Sequence, residues 1–130
     1  MNKEKLGIEL SHIRDGRPIE KLSDYAVRSI EEGRSSYPVT NLLNYCKALS
    51  LRVVLTDMAT DESYRVDNTQ EVHDVLQMLM KRWHINDSTM YRKTGIHYTT
   101  PKDGIGSLSI VTMLEMCKVL HCKLSFIKTN

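Results

Sequence analysis

The side chains that could do chemistry fall into three groups, and their spacing decides which chemistry survives. Cys46, Cys117 and Cys122, with five scattered histidines, offer soft and borderline metal ligands. No C-x-x-C or comparable ligand spacing joins them, so small buried thiols and surface imidazoles are expected, with no metal and no cofactor. His12 and the Glu71-Val72-His73 run stand isolated. There is no nucleophile elbow, phosphate loop or spaced His/carboxylate pair, so no enzyme is expected. The third group is cationic, hydroxylic and aromatic. Residues 23–36, SDYAVRSIEEGRSS, carry Tyr25, Arg28, Ser29, Arg34, Ser35 and Ser36, and MYRKTGIHYTTPK at 90–102 carries three cations and two tyrosines. Basic and aromatic residues interleaved like the latter could grip single-stranded nucleic acid by stacking, or could pack into a seam between two halves of the chain.

The elements that must hold these groups can be read from apolar period and punctuation. Leu6, Leu10 and Ile13 in KEKLGIELSHIR mark a first helix, stopped by DGRP. A short helical turn in IEKL is expected next. Ser23 then caps a helix over 24–32 and Gly33 closes it in the left-handed conformation. Pro38 or Thr40 starts another helix, running to about Ser50. LRVVLTDMATDESYRV reads as a β-hairpin around a polar turn. TQEVHDVLQMLMKRW is a strong helix with Val72, Val75, Leu76 and Leu79 on one face; its methionines suit core packing, and Trp83 is expected half-buried between lobes.

An internal repeat organises the whole. LLNYCKALSLRVVL aligns with MLEMCKVLHCKLSF at an offset of 71 residues, matching Leu43 with Leu114, Cys46 with Cys117, Lys47 with Lys118 and Leu49 with Leu120. Each copy is a short amphipathic helix that passes into β-favouring residues. The chain is therefore divided at 1–66 and 67–130, each half holding one copy. Halves this small bury only about 60% of their unfolded surface and should pack together.

Ser23, Val27, Ile30, Glu31, Gly33, Pro38, Leu42, Leu43 and Leu49 resemble the phage-repressor-like helix-turn-helix family, also called Cro-like or XRE-like: S-x-x-x-[IV]-x-x-[IW]-E-x-G, a turn with proline, then L-L-x-x-x-x-x-L. The resemblance is carried by about 28 residues. It implies a mostly α fold of two tandem, degenerate helix-turn-helix lobes, with a small β-hairpin and a C-terminal strand. Val27 and Ile30 should face the core, leaving Asp24, Tyr25, Arg28, Ser29 and Glu32 outward on the face that such a fold lays in the major groove. Tyr25, Arg28 and Ser29 would lie nearest the bases. Arg34 and the N–H groups of Ser35 and Ser36 would clamp a phosphate, while Glu31 would brace the fold. The helix that precedes the reading helix in this family is shrunken here to PIEKLSD. The second half keeps that helix, in NDSTMYRKTGI, but its reading helix would be HYTTPKDG, where Pro101 costs about 3 kcal/mol. DNA contact is thus assigned to the first half.

Composition is permissive rather than decisive. A hydrophobic content of 41% is enough for a core, and net charge is +2. The first half carries 10 basic against 10 acidic residues and the second 8 against 6, so any basic surface must be local. The polar N-terminus and the absence of a long apolar run suggest neither leader nor membrane span, and the odd cysteine count suggests the cytoplasm. The expectation is a double-stranded-DNA-binding transcription regulator, with β-rich edges at 52–56 and in KLSFI that pair with each other or build a homodimer. The alternative is a protein-interaction or dimerisation module, with a protein partner, that no longer binds DNA.

Overall fold

The computed structural model describes residues 2–33, 36–96 and 108–129. Among them are six helices and a three-stranded antiparallel sheet: α1 (Lys3–Arg14), α2 (Asp24–Glu32), α3 (Val39–Ala48), β1 (Leu51–Asp57), β2 (Ser63–Val66), α4 (Thr69–Arg82), α5 (Asp87–Thr94), α6 (Ile110–Val119) and β3 (Cys122–Lys128). No helix among the described residues is long and apolar enough to cross a membrane.

Local chemistry sets most boundaries. Asn2, Ser23, Asn68, Asn86 and Ser109 each accept a backbone N–H from their helix's first turn. Asp15, Gly33 and Gly95 end α1, α2 and α5 in the left-handed region, at φ 48°, 61° and 73°. IEKL goes no further than a turn at residues 20–21 and a bend at 22, with no helix formed. Asp15 and Gly16 both have positive φ. Arg17 then folds its guanidinium back onto the carbonyls of Ile13 and Arg14, so the chain closes off α1 instead of starting a new helix. The next helix, α3, begins at Val39, with Pro38 as its N-cap, and ends at Ala48, two residues before the expected end.

The sheet order is β2-β1-β3. The run at 52–56, expected as an exposed edge, is instead the central strand and is largely buried. A central strand has both rows of backbone groups paired, so β1 offers no edge to a second chain. KLSFI pairs with it from the other half of the sequence. Dihedrals repeat along with the sequence: Ser50 and His121, 71 positions apart, have φ 56° and 51°.

The 71-residue repeat is written into the geometry. α3 and α6, and β1 and β3, have boundaries displaced by that same offset. Their buried residues correspond one for one: Val39, Leu42, Leu43, Tyr45 and Cys46 against Ile110, Met113, Leu114, Met116 and Cys117. Val54 stands opposite its own repeat partner Ser125, with Val53 opposite Phe126 and Leu55 opposite Leu124. Pro38 bridges its repeat partner Ser109, through Val39 N–H to the Leu108 carbonyl and Ile110 N–H to the Tyr37 carbonyl, both 2.8 Å. Equivalent bonds from Thr129 N–H to Ser50 O and from Met58 N–H to His121 O close the two ends of the strand pair. Such reciprocal bonds define a local twofold axis. The first helices match as well, at an offset of 66: Asn2 and Asn68 are both N-caps, and Leu6 and Leu10 correspond to Val72 and Leu76, all fully buried.

One apolar cluster spans both halves, from Leu6, Leu10 and Ile30 through Leu42, Tyr45 and Leu55 to Leu76, Met90, Ile110 and Met116. At one end of it, the Asp57 carboxylate is fully buried. Burial opposes its charge. The Ala59 N–H, Arg82 and Trp83 nonetheless hold its carboxyl below the usual carboxylate range. Trp83 itself is 39% exposed.

Candidate nucleic-acid interface

Helix α2 is held by one side only. Ile30 is fully buried and Val27 packs partly buried against the core. Three residues apart, they anchor one stripe and leave the opposite stripe to solvent. Tyr25 is 71% exposed, an unusual state for a large aromatic side chain. Asp24, Arg28 and Glu32 are exposed beside it and Ser29 is half-buried. Tyr25, Arg28 and Ser29 stand at i, i+3 and i+4, so they form a single ridge. Among the described residues Arg28 makes no ion pair, even though Asp24 and Glu31 lie on its own helix.

Glu31 is committed elsewhere. Arg14 Nε donates to its Oε2 at 2.6 Å and an Arg14 terminal nitrogen to Oε1 at 2.9 Å, a two-pronged contact. The Tyr45 hydroxyl donates to the same carboxylate and lies 3.1 Å from the Leu10 carbonyl oxygen. Burial disfavours the Glu31 charge, but these donors outweigh it and lower the carboxyl's pKa. Tyr45 is shifted upward, by burial and by its bond to Glu31. The brace was legible in Glu31. Its partners Arg14 and Tyr45 were not, because they come from α1 and α3, 17 and 14 positions away.

Two glycines let α1 lie against the back of α2. A Cβ on Gly7 would come within 2.4 Å of the Glu31 carbonyl oxygen, and one on Gly33 within 2.9 Å of the Glu4 Cα. The Lys3 ammonium donates to the Gly33 carbonyl oxygen, placing positive charge at the negative end of the α2 dipole. The ridge is thus mounted on a close helix pair.

Beside the ridge are two shallow depressions of about 500 Å³ each, which meet at Pro18. Arg28 lines one, with Asp24 and Ile19. Lys21 and Lys47 line the other, with Glu20 and Asn44. Arg17 is partly spent on the α1 carbonyls. Ser36 is exposed at the end of the turn. Arg34 and Ser35, and the 97–104 segment assigned as the second half's degenerate reading helix, lie outside the described residues. Much of the basic-aromatic run at 90–102 does too; within it, Tyr91 is 43% exposed while Met90 is fully buried in the core. Among the described residues, no group of three or more His, Cys, Asp or Glu is placed to hold a metal ion.

Comparison with protein-family models, curated proteins and solved structures finds no match to this chain.

Proposed function

We propose that this protein binds double-stranded DNA in a sequence-specific manner and regulates transcription, as two tandem, degenerate helix-turn-helix lobes at 1–66 and 67–130. The carrying observation is the α2 ridge: Tyr25 at 71% exposure and an exposed Arg28 with no ion pair among the described residues, fixed by Ile30, Gly7 and Glu31 on the opposite side. A helix about 10–12 Å across fits the major groove, where a guanidinium reads guanine O6 and N7. Asp24 supplies an acceptor for a cytosine amino group. Arg34, Ser35 and Ser36 are assigned to phosphate, with Lys21 and Lys47, which line one depression, as further backbone contacts. The setting is the cytoplasm. Self-association through the outer edge of β3 would set two reading helices about 34 Å apart on a pseudo-palindrome.

Salt titration tests the reading. With about four to six phosphate contacts, log affinity for duplex DNA falls against log salt with a slope near −4 to −5. A flat response, or no retardation of duplex DNA at low salt, refutes it. Asp24 and Glu32, both exposed on the same ridge, favour a second reading in which the ridge docks a basic protein surface. A partner competing for Tyr25 and Asp24 in the absence of DNA binding would support that outcome.

A further inference from the structure

The repeat that equates Cys46 with Cys117 breaks down five residues later. There the first half has Leu51 and the second has Cys122. The substitution places two thiols side by side. Cys117, on the last turn of α6, and Cys122, the first residue of β3, line the same open cavity of about 510 Å³. The two sulfurs lie close enough to influence each other's proton. Cys117 is 4% exposed and Cys122 more accessible, so solvent reaches one sulfur more readily than the other. Lys118, Lys123 and His121 also border the cavity, of which Lys118 is paired with Glu115 at 3.1 Å.

We propose that Cys117 and Cys122 form a dithiol oxidised by hydrogen peroxide, with Cys122 as the attacking sulfur and Cys117 as the resolving one. In the first step the Cys122 thiolate attacks one peroxide oxygen. The O–O bond breaks, hydroxide leaves and takes up a proton to become water, and Cys122 becomes a sulfenic acid. In the second step the Cys117 sulfur displaces hydroxide from the Cys122 sulfur. An S–S bond forms, the S–O bond breaks, and the Cys117 proton joins the departing hydroxide as a second water. One peroxide is reduced and two thiols are oxidised.

The order of roles follows from the surroundings. Solvent reaches Cys122 before Cys117, and the neighbouring Cys117 and the Thr56 backbone favour the Cys122 thiolate against the opposing effects of burial and Asp57. Cys117 is pushed the other way, toward the thiol, by its neighbour Cys122 and by burial. The more accessible of two neighbouring sulfurs, with its thiol pKa lowered, beside a more buried cysteine is the arrangement that suits reversible oxidation. Cys46 supplies an internal control: it is buried, the residue across its turn at the position equivalent to Cys122 is Leu51, and burial pushes its thiol up to about 12.

The experiment uses the full chain, reduced, freed of reductant and given a small excess of hydrogen peroxide at neutral pH. The expected product has lost two hydrogen atoms in intact mass. Trypsin cleaves after Lys118, between the two cysteines, so a non-reducing digest should hold their peptides together and a reduced one should release them. In Cys117→Ser, a cyclic dione should trap a sulfenic acid on Cys122; in Cys122→Ser, no intramolecular disulfide should form. Should a variant fail to fold, alkylation of the native wild type decides instead, with Cys122 expected to react at least tenfold faster than Cys46. First oxidation at Cys117 or Cys46, disulfide dimers in place of the internal bond, or equal alkylation of Cys122 and Cys46 overturns the proposal.

Discussion

Gly7 of α1 passes so close to Glu31 of α2 that a single added carbon would lie 2.4 Å from the Glu31 carbonyl oxygen and 2.5 Å from that of Ile30. Both obstacles are helix backbone, which cannot swing aside as a side chain can. Gly7→Ala should therefore destabilise the protein, although alanine is the better helix former. Overpacking of this kind costs about 1–3 kcal/mol or more. Urea unfolding with an unchanged slope and a lowered midpoint is the expected readout; a midpoint equal to wild type would show that the helices have room to part.

The carboxylate brace gives a pH signature. Glu31 and Asp57 are both held below their ordinary values in the fold. A depressed folded-state pKa contributes stability that is present above the unfolded value, near 4, and is lost as pH falls through the folded one. The melting temperature should hold from neutral pH to about 5 and decline below it. Glu31→Gln, which keeps shape but removes charge from the Arg14 and Tyr45 contacts, should cost about 1.5–3 kcal/mol at pH 7. Its penalty should shrink in acid. A constant difference across the titration would assign the brace to packing alone.

Tyr37 carries a different kind of expectation. Its ring is 4% exposed and its hydroxyl finds no hydrogen-bond partner among the described residues. At the repeat-equivalent position the second half has Leu108, which is also buried. An unpaired buried hydroxyl costs about 1–3 kcal/mol, so Tyr37→Phe should be neutral or raise stability within that range. A clear loss in thermal unfolding would mean that the hydroxyl is satisfied by a group outside the described residues.

Two arginines are assigned unlike tasks. Arg28→Ala should weaken a preferred duplex by about 1–3 kcal/mol and relax its selectivity over scrambled sequences. Arg34→Ala should weaken all duplexes alike and reduce the salt slope by about one. Parallel binding curves on one specific and one scrambled duplex separate the two. Equal effects from both substitutions would remove Arg28 from base reading.

What was readable beforehand was what short segments control. Ser23 and Gly33 punctuate α2 because a hydroxyl can satisfy a first-turn N–H and a residue without Cβ can adopt positive φ. Val27 and Ile30 orient it because three residues make nearly one helical turn. The short helical turn expected in IEKL is reduced to a turn at residues 20–21, while Arg17 just before it is drawn back onto the end of α1, a contact invisible in four residues read alone. The strand at 52–56 pairs with KLSFI, one of the two outcomes expected of it, but it is not an exposed edge, because β2 covers its other side. The 71-residue repeat did contain a usable clue, since two antiparallel copies of one strand can pair about a local twofold axis.

By itself, then, the sequence determined the helices and their caps, the hairpin, the repeat and the stripe that turns α2 inward, because hydrogen-bonding groups and apolar period act over a few residues. Only the tertiary structure decided that β1 would be enclosed, that Gly7 would serve as a point of helix contact, that Glu31 would be claimed by Arg14 and Tyr45 instead of Arg28, and that Cys122 would meet Cys117. Each of those depends on which distant surfaces come together, and several partners of similar chemistry were available until packing selected one.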